Sequence, residues 1–416
     1  MHFASHRRYA TQHSLSSNAP GHCDYRLLYS GIPALGTLFH GHALASGKSN
    51  QVKRNAILIG LGRIGWSLEK DKLRYHPCTH AGSLLALKRR YNLIAVCDTN
   101  PARIQEFQRW WPEPVLCFEN PKQLFASINS AQFADQRRKS SGKESNAAST
   151  STTEGPLSVD LAIVATPQDV HTSQALELMK SGVADVLIEK PPGEKASDAK
   201  KLLQAMENFH RRLWINFERR YHPGYQKVLK LIQSKSLGTL RHIRGRVYSG
   251  ASPVHPGSGP LLHDAVHWID LLFWYCGIPI NMSGRIVRNS KGLEQASHLH
   301  FHYDNFVANL DTGARSKFFE FEMELDFSDG RIHCGNNGFR LWKSRKSSRY
   351  SGFKELKEYP FSFSESKRNP WMNMYSTIAR EAHISSGKAS ESGYDRNRTI
   401  QGLKTVEFID KAYRTL

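Results

Sequence analysis

The chain has 416 residues, 39% of them hydrophobic, enough to bury two ordinary cores and long for one. Its 57 Lys and Arg against 37 Asp and Glu leave a formal charge of +20, which favours anionic ligands without choosing among them. No run of about 18 apolar residues occurs, so a membrane-spanning helix is not expected. Six cysteines (Cys23, Cys78, Cys97, Cys117, Cys276, Cys334) stand apart without a CxxC pair. Neither a disulfide framework nor a cysteine zinc site is therefore expected, and a reducing, cytoplasmic location suits the chain.

Residues 1–54 hold six Lys or Arg, six His and one acid, Asp24, among Ser, Gly and Pro with no sustained periodicity. They read as a disordered extension or as upstream sequence outside the working protein. An export segment is the third reading, and Gly31, Pro33, Gly36 and His40 interrupt the apolar stretch it would need.

From 55 to 192, short β-branched runs alternate with helical stretches, the pattern of a parallel α/β domain. Ala56-Ile57-Leu58-Ile59 leads into Gly60-Leu61-Gly62-Arg63-Ile64-Gly65, a G-x-G-x-x-G placed after a strand and before a helix. Such a loop binds dinucleotides for physical reasons. The first glycine makes a tight turn, the second admits a pyrophosphate to the backbone, and the third lets helix pack on strand. The phosphates then meet the unpaired N–H groups of a helix start.

The next run, Leu93 to Cys97, ends in Asp98, an acceptor for ribose hydroxyls or else a polar strand end. Asp98 lies 38 residues after Gly60, against roughly 20 in the usual fingerprint. The segment 68–79, with five charged residues and Pro77, interrupts the first helix and accounts for much of the excess. Runs at Val159–Val164 and Val186–Ile188 follow, with a helix from Thr172 to Ser181 stopped by Gly182. Between them, 136–157 is Ser/Thr/Gly-rich and reads as a flexible surface loop. The strand ends gather Gly60 to Gly65, Asp98, Thr166-Pro167 and Glu189-Lys190 at the edge where open α/β sheets bind ligands.

From 193 to 416 the pattern changes. Ala199, Leu202, Leu203 and Met206, then Tyr225, Val228, Leu229 and Ile232, mark two amphipathic helices. Alternating stretches at 298–302, 319–327 and 331–334 read as antiparallel strands, with Asp329-Gly330 a turn, and 395–416 reads as a closing helix. The fold class is α/β: a doubly wound parallel sheet followed by an α+β domain with a mainly antiparallel sheet.

Several of these motifs occur in the order found in the Gfo/Idh/MocA family of nicotinamide-dependent oxidoreductases, which the chain resembles from about residue 56 onward. They are the Gly60 loop, Asp98, Thr166-Pro167 with His171, Glu189-Lys190-Pro191, Arg219-Arg220-Tyr221-His222-Pro223 and the stretch His263 to Asp270. The family's His-Ala pair appears as His80-Ala81, about twelve residues later than usual. The resemblance implies NAD as cofactor, with NADP possible because Arg103 lies near Asp98, and an open sheet that associates into a homo-oligomer. It also implies that Thr166, Pro167, His171, Glu189 and Lys190 border the cofactor, and that Lys190 contacts the substrate hydroxyl. A partly buried ammonium can share or shuttle a proton; the plainer reading of Lys190 is neutralisation of Glu189.

On a helix, 263, 267, 270 and 274 share one face. His267 matches the family's general acid/base, and a carboxylate usually stands where this chain has His263, so His263 or the adjacent Asp264 takes that role. His-Asp-x-x-His also resembles the H-E-x-x-H of zinc proteases; Asp is one methylene shorter and no further ligand follows, so no metal is expected. Arg219, Arg220 and Tyr221 are expected to face the cleft and hold a sugar or polyol substrate, and the arginines permit an anionic one, though such charges are more often solvated. Nucleic acid is not expected, since no basic helix, RNP-like pattern or zinc finger accompanies the charge. The expected function is hydride transfer at a carbinol carbon; the non-enzymatic alternative is a dinucleotide-binding sensor of the same fold.

Overall fold

The structure is a computed structural model that describes residues 53–128, 157–367, 369–384 and 393–416. The expected N-terminal extension up to 52 and nearly all of the expected loop at 136–157 lie outside the described residues.

Six strands form the first sheet: β1 (Arg54–Ile59), β2 (Tyr91–Cys97), β3 (Leu116–Phe118), β4 (Leu161–Val164), β5 (Asp185–Ile188) and β6 (Arg212–Ile215). They are parallel in the order β3-β2-β1-β4-β5-β6, the doubly wound arrangement with its switch point between β1 and β4. Both faces are covered, and Ala56 to Ile59 is consequently apolar at every position and almost fully buried. The connecting helices include α1 (His80–Ala86), α2 (Pro101–Trp110), α3 (His171–Lys180) and α4 (Ala196–Phe209). Gly182 ends α3 with φ +83°, a conformation that side chains rarely adopt. The sheet thus takes in α4 and β6, so the parallel layer reaches Ile215, past the sequence-based boundary at 192.

The second sheet has eight strands: β7 (Leu240–Tyr248), β8 (Asn281–Arg288), β9 (Glu294–His302), β10 (Val307–Gly313), β11 (Glu320–Phe327), β12 (Gly330–Gly335), β13 (Gly338–Lys346) and β14 (Lys354–Tyr359). Their order is β14-β13-β12-β11-β7-β10-β9-β8, antiparallel throughout except for the β7–β10 pair. Its alternation is that of a sheet covered on one face: Ile243, Val247, Leu310, Phe321 and Met323 are buried, whereas Arg244 and Arg246 are exposed. The covering helices are α5 (Pro223–Gln233), α6 (Pro260–His263), α7 (Val266–Cys276) and α9 (Arg396–Thr415), the last capped by the Asp395 side chain, whereas α8 (Pro370–Ile384) packs against α1 of the first domain. One apolar cluster runs from Ile57 and Val164 to Phe321, Leu325 and Ile409, joining both sheets. Among the described residues, no helix is long and apolar enough to cross a membrane.

The glycine loop does not open onto an uninterrupted helix. Trp66 N–H donates to Gly62 O, making one turn, and a short 3-10 segment, Ser67–Lys70, follows. The chain then leaves the helix axis and re-enters it at α1, where His80 N–H donates to Ile64 O and Ala81 N–H to Gly65 O. In a continuous helix those carbonyls would take N–H groups four residues on. Residue 80 therefore stands where residue 68 would, and the excess of about twelve residues is spliced in after one helical turn.

Candidate active site

The ends of the first sheet's strands and the α6–α7 junction border an open cleft of about 310 Å³. On its cofactor side, Gly60 has φ +95°, and a Cβ there would lie 2.5 Å from Ala165 O. A Cβ at Gly65 would lie 2.0 Å from Gly60 O, so each of these glycines is required by close backbone approach. At Gly62 a Cβ would meet no other atom of the described residues within 4 Å. The loop is closed around its first and third glycines and open at its second, which is the fit a pyrophosphate needs.

Asp98 ends β2 beside this loop and is nearly buried. Leu61 N–H donates to its Oδ2 at 2.7 Å and Asn100 N–H to its Oδ1 at 2.9 Å, with Arg103 3.7 Å away. The carboxylate is thereby fixed against the loop, with lone pairs remaining for hydroxyl donors. The His171 ring nitrogens lie 3.0 Å from Pro191 O and 2.8 Å from Thr166 O. His171 thus ties the ends of β4 and β5 together beneath the cleft.

Glu189 follows β5 and is buried. Its carboxylate accepts from His80 Nε2 at 2.8 Å, from Asn216 Nδ2 and from Lys190 N–H at 3.2 Å. Burial works against its charge, but the His80 and Asn216 hydrogen bonds hold it below the ordinary carboxylate value. The Lys190 ammonium points elsewhere, donating to His263 O at 2.8 Å.

Across the cleft the expected single helix from His263 to Asp270 is broken. The first helix, α6, ends at His263, and α7 begins at Val266. The break removes the one-helix spacing that the protease-like motif requires, and a group of three metal-ligating side chains around His263 and His267 does not form among the described residues. His263 is half-exposed at the rim, its Nδ1 3.9 Å from Asp264 Oδ1. Asp264 is held at about 2: burial opposes its charge, but the His263 ring and the Lys190 ammonium outweigh it. His267 is buried with Nδ1 3.6 Å from Glu218 Oε2, and that nitrogen has no hydrogen-bond partner among the described residues. Burial first, then the charges of Lys190 and Arg219, push its imidazole well below 6.5. Glu218, enclosed on the same side, is pushed up to about 7 by burial.

The expectation for Arg220 and Tyr221 needs correction. Arg220 donates from Nε and Nη2 to both carboxylate oxygens of Asp270 at 2.7 and 2.6 Å, and the two side chains are 3% and 1% exposed. Asp270 therefore faces the interior and not the cleft, and Tyr221 packs with Trp371 and Tyr375 in the core. A pair of arginines before a helix does not reveal which way each points. Arg219 stacks 3.7 Å over Phe321, donates to Tyr225 Oη at 2.9 Å and lines a second, largely apolar pocket. The pocket shares Glu218 and Trp371 with the cleft. Glu218, Asn216 and Trp371 were not expected in the site; Glu218 and Asn216 carried one signal, their position just after a buried strand.

Comparison with known proteins agrees with this architecture. Residues 55–217 match the model of the oxidoreductase family with an NAD-binding Rossmann fold, GFO/IDH/MocA, and 225–333 match the family's C-terminal domain. The chain belongs to the GFO/IDH/MocA oxidoreductase family. It is 24% identical over 188 residues to inositol 2-dehydrogenase of Arthrobacter sp., covering 43% of this chain and 56% of that protein. It is 28% identical over 123 residues to rhizopine catabolism protein MocA of Rhizobium meliloti, covering 29% and 38%. The matches thus span about half or less of these curated relatives. The WlbA dehydrogenase of Bordetella pertussis, solved with NADH and UDP-GlcNAcA, superposes with a TM-score of 0.60 at 17% identity over 88% of this chain and 97% of that one.

Proposed function

We propose that this chain is an NAD-dependent oxidoreductase that moves hydride between nicotinamide and a carbinol carbon of a sugar, polyol or sugar derivative. The observation that carries this reading is convergence. An ammonium (Lys190), a buried neutral imidazole (His267) and a high-pKa carboxyl (Glu218) border the cleft that also receives Arg63 and Ile64 of the glycine loop. NAD supplies the two-electron hydride acceptor. One Lys190 donor is committed to His263 O, leaving two to orient a substrate hydroxyl. His267 is uncharged at neutral pH and able to take the hydroxyl proton, and Glu218 stands 3.6 Å behind it as the next acceptor. Thr166, Pro167, His171 and Glu189 shape the floor. Asp98 opposes a 2′-phosphate, which favours NAD over NADP.

The +20 charge and Arg219 beside the second pocket support an anionic substrate. A cytoplasmic location and a homo-oligomer formed through the open face of the second sheet complete the proposal. The test is a panel of inositols, sugars and nucleotide sugars read by absorbance of reduced nicotinamide. Lys190→Ala and His267→Ala are expected to lower kcat by roughly 10²–10⁴-fold while retaining NADH binding. Absence of turnover with every compound together with absence of nicotinamide binding would overturn the reading.

A further inference from the structure

The spliced segment between the glycine loop and α1 carries a cluster of its own. Glu69, His76 and Cys78 bring one oxygen, one nitrogen and one sulfur within 4.8 Å of one another. His76 Nδ1 is 2.9 Å from Glu69 Oε1, and Cys78 Sγ is 3.8 Å from Glu69 Oε2 and 3.9 Å from His76 Nδ1. A tetrahedral zinc ion with ordinary bond lengths separates such donors by roughly 3.3–3.5 Å. With one donor atom from each residue within 4.8 Å of the others, side-chain shifts of about 1 Å would close the set around one ion.

The outer partners point the same way. His76 Nε2 is 2.9 Å from Asp71 O, an acceptor only, so Nε2 carries hydrogen and Nδ1 turns toward the Glu69 carboxylate. Nδ1 and Oε1 thus converge on one point, which either a ring proton or a metal ion can fill. Glu69 Oε2 accepts from Thr79 Oγ1 at 2.6 Å and from Cys78 N–H at 3.2 Å, which fixes the carboxylate with Oε1 toward the histidine. Metal-ligating side chains are oriented by such second partners. The Cys78 thiol is largely buried beside the Glu69 carboxylate.

We infer that Glu69, His76 and Cys78 form a binding site for a divalent cation of the zinc class, with solvent at the fourth position. Binding replaces the thiol proton by an S–metal bond, and the proton passes to solvent with no change of oxidation state. The site joins the two ends of the inserted segment. Leu68 and Arg74 of that segment border the catalytic cleft, and Tyr75, Pro77 and Cys78 border the adjoining pocket. The ion would thus brace the wall shared by the two cavities. The absence of CxxC spacing concealed these ligands in the sequence, since they meet only because the chain leaves a helix and returns to it.

The test uses the full chain after chelator treatment, titrated with Co²⁺ and then with Zn²⁺. One equivalent of Co²⁺ should produce a thiolate charge-transfer band and tetrahedral visible absorption, both abolished by Zn²⁺. Cys78→Ser should lose the band and His76→Ala should weaken binding roughly tenfold or more, with circular dichroism of both variants unchanged. Absence of stoichiometric uptake by the wild-type chain, or an undiminished band in folded Cys78→Ser, would overturn the site. In the first case a protonated His76 paired with Glu69 is left as the reading of the cluster. These optical readouts do not involve turnover, so the result is independent of the proposed hydride transfer.

Discussion

Glu218 shows how one enclosed carboxyl couples stability to chemistry. Its pKa rises from 4.5 to about 7 on folding because burial disfavours the charged form. Between those values the folded chain holds a proton that the unfolded chain has released. Stability therefore falls as pH rises from about 4.5 to about 7, the sign linkage gives when the native state binds more protons. Glu218→Gln keeps the shape and removes the titration. It should flatten that part of the stability profile and raise stability above pH 7 by about 3 kcal/mol at most. Urea denaturation at several pH values measures this, and an unchanged slope would show that Glu218 does not titrate there. Such a residue was hidden in the sequence because an acid beside two arginines reads as an ion-paired surface group. Lys190 and His267 were legible through the resemblance, as the Lys of Glu189-Lys190-Pro191 and the family's acid/base position in His263 to Asp270, and both line the cleft.

Elements were read well where the pattern alone decides their fate. β1, β2, β4 and β5 follow apolar β-branched runs, and the two amphipathic helices appear at α4 and α5. The failures lie where tertiary contacts decide. No Gly or Pro marks the break between α6 and α7, so 263–270 read as one helix with a polar face. In the structure the Asp270 member of that face serves as an internal anchor. The Arg220–Asp270 pair fastens α7 to the segment before α5 with two charge-assisted hydrogen bonds in near-complete burial. Removing one partner strands the other charge, which typically costs 3–5 kcal/mol. Asp270→Ala should therefore destabilise the chain by about that amount, whereas a substrate-binding role for Arg220 would appear in KM first. Denaturant midpoints and KM measured on Asp270→Asn, which keeps the volume, separate the two. A raised KM at unchanged stability would reinstate the cleft-facing role.

At the scale of the whole molecule, composition suggests two cores, but the apolar cluster that begins at Ile57 under the first sheet continues through α7 and α9 to Leu325 in the second. The cleft lies along this shared core, its Lys190 side supplied by β5 and its His267 side by α7. Two lobes that share buried side chains cannot open independently without exposing them to water, at roughly 25 cal/mol per Å² of apolar surface. Native-state hydrogen exchange should then give the amides of β1 and β11 the same opening free energy, that of global unfolding. NADH binds the folded state alone, so at a hundredfold excess over Kd it should raise both values by about 2.7 kcal/mol. If β11 exchanged through a lower-energy opening that NADH left unchanged, the lobes would be separate cooperative units, and the positioning of His267 against Lys190 would depend on a hinge and not on a common core.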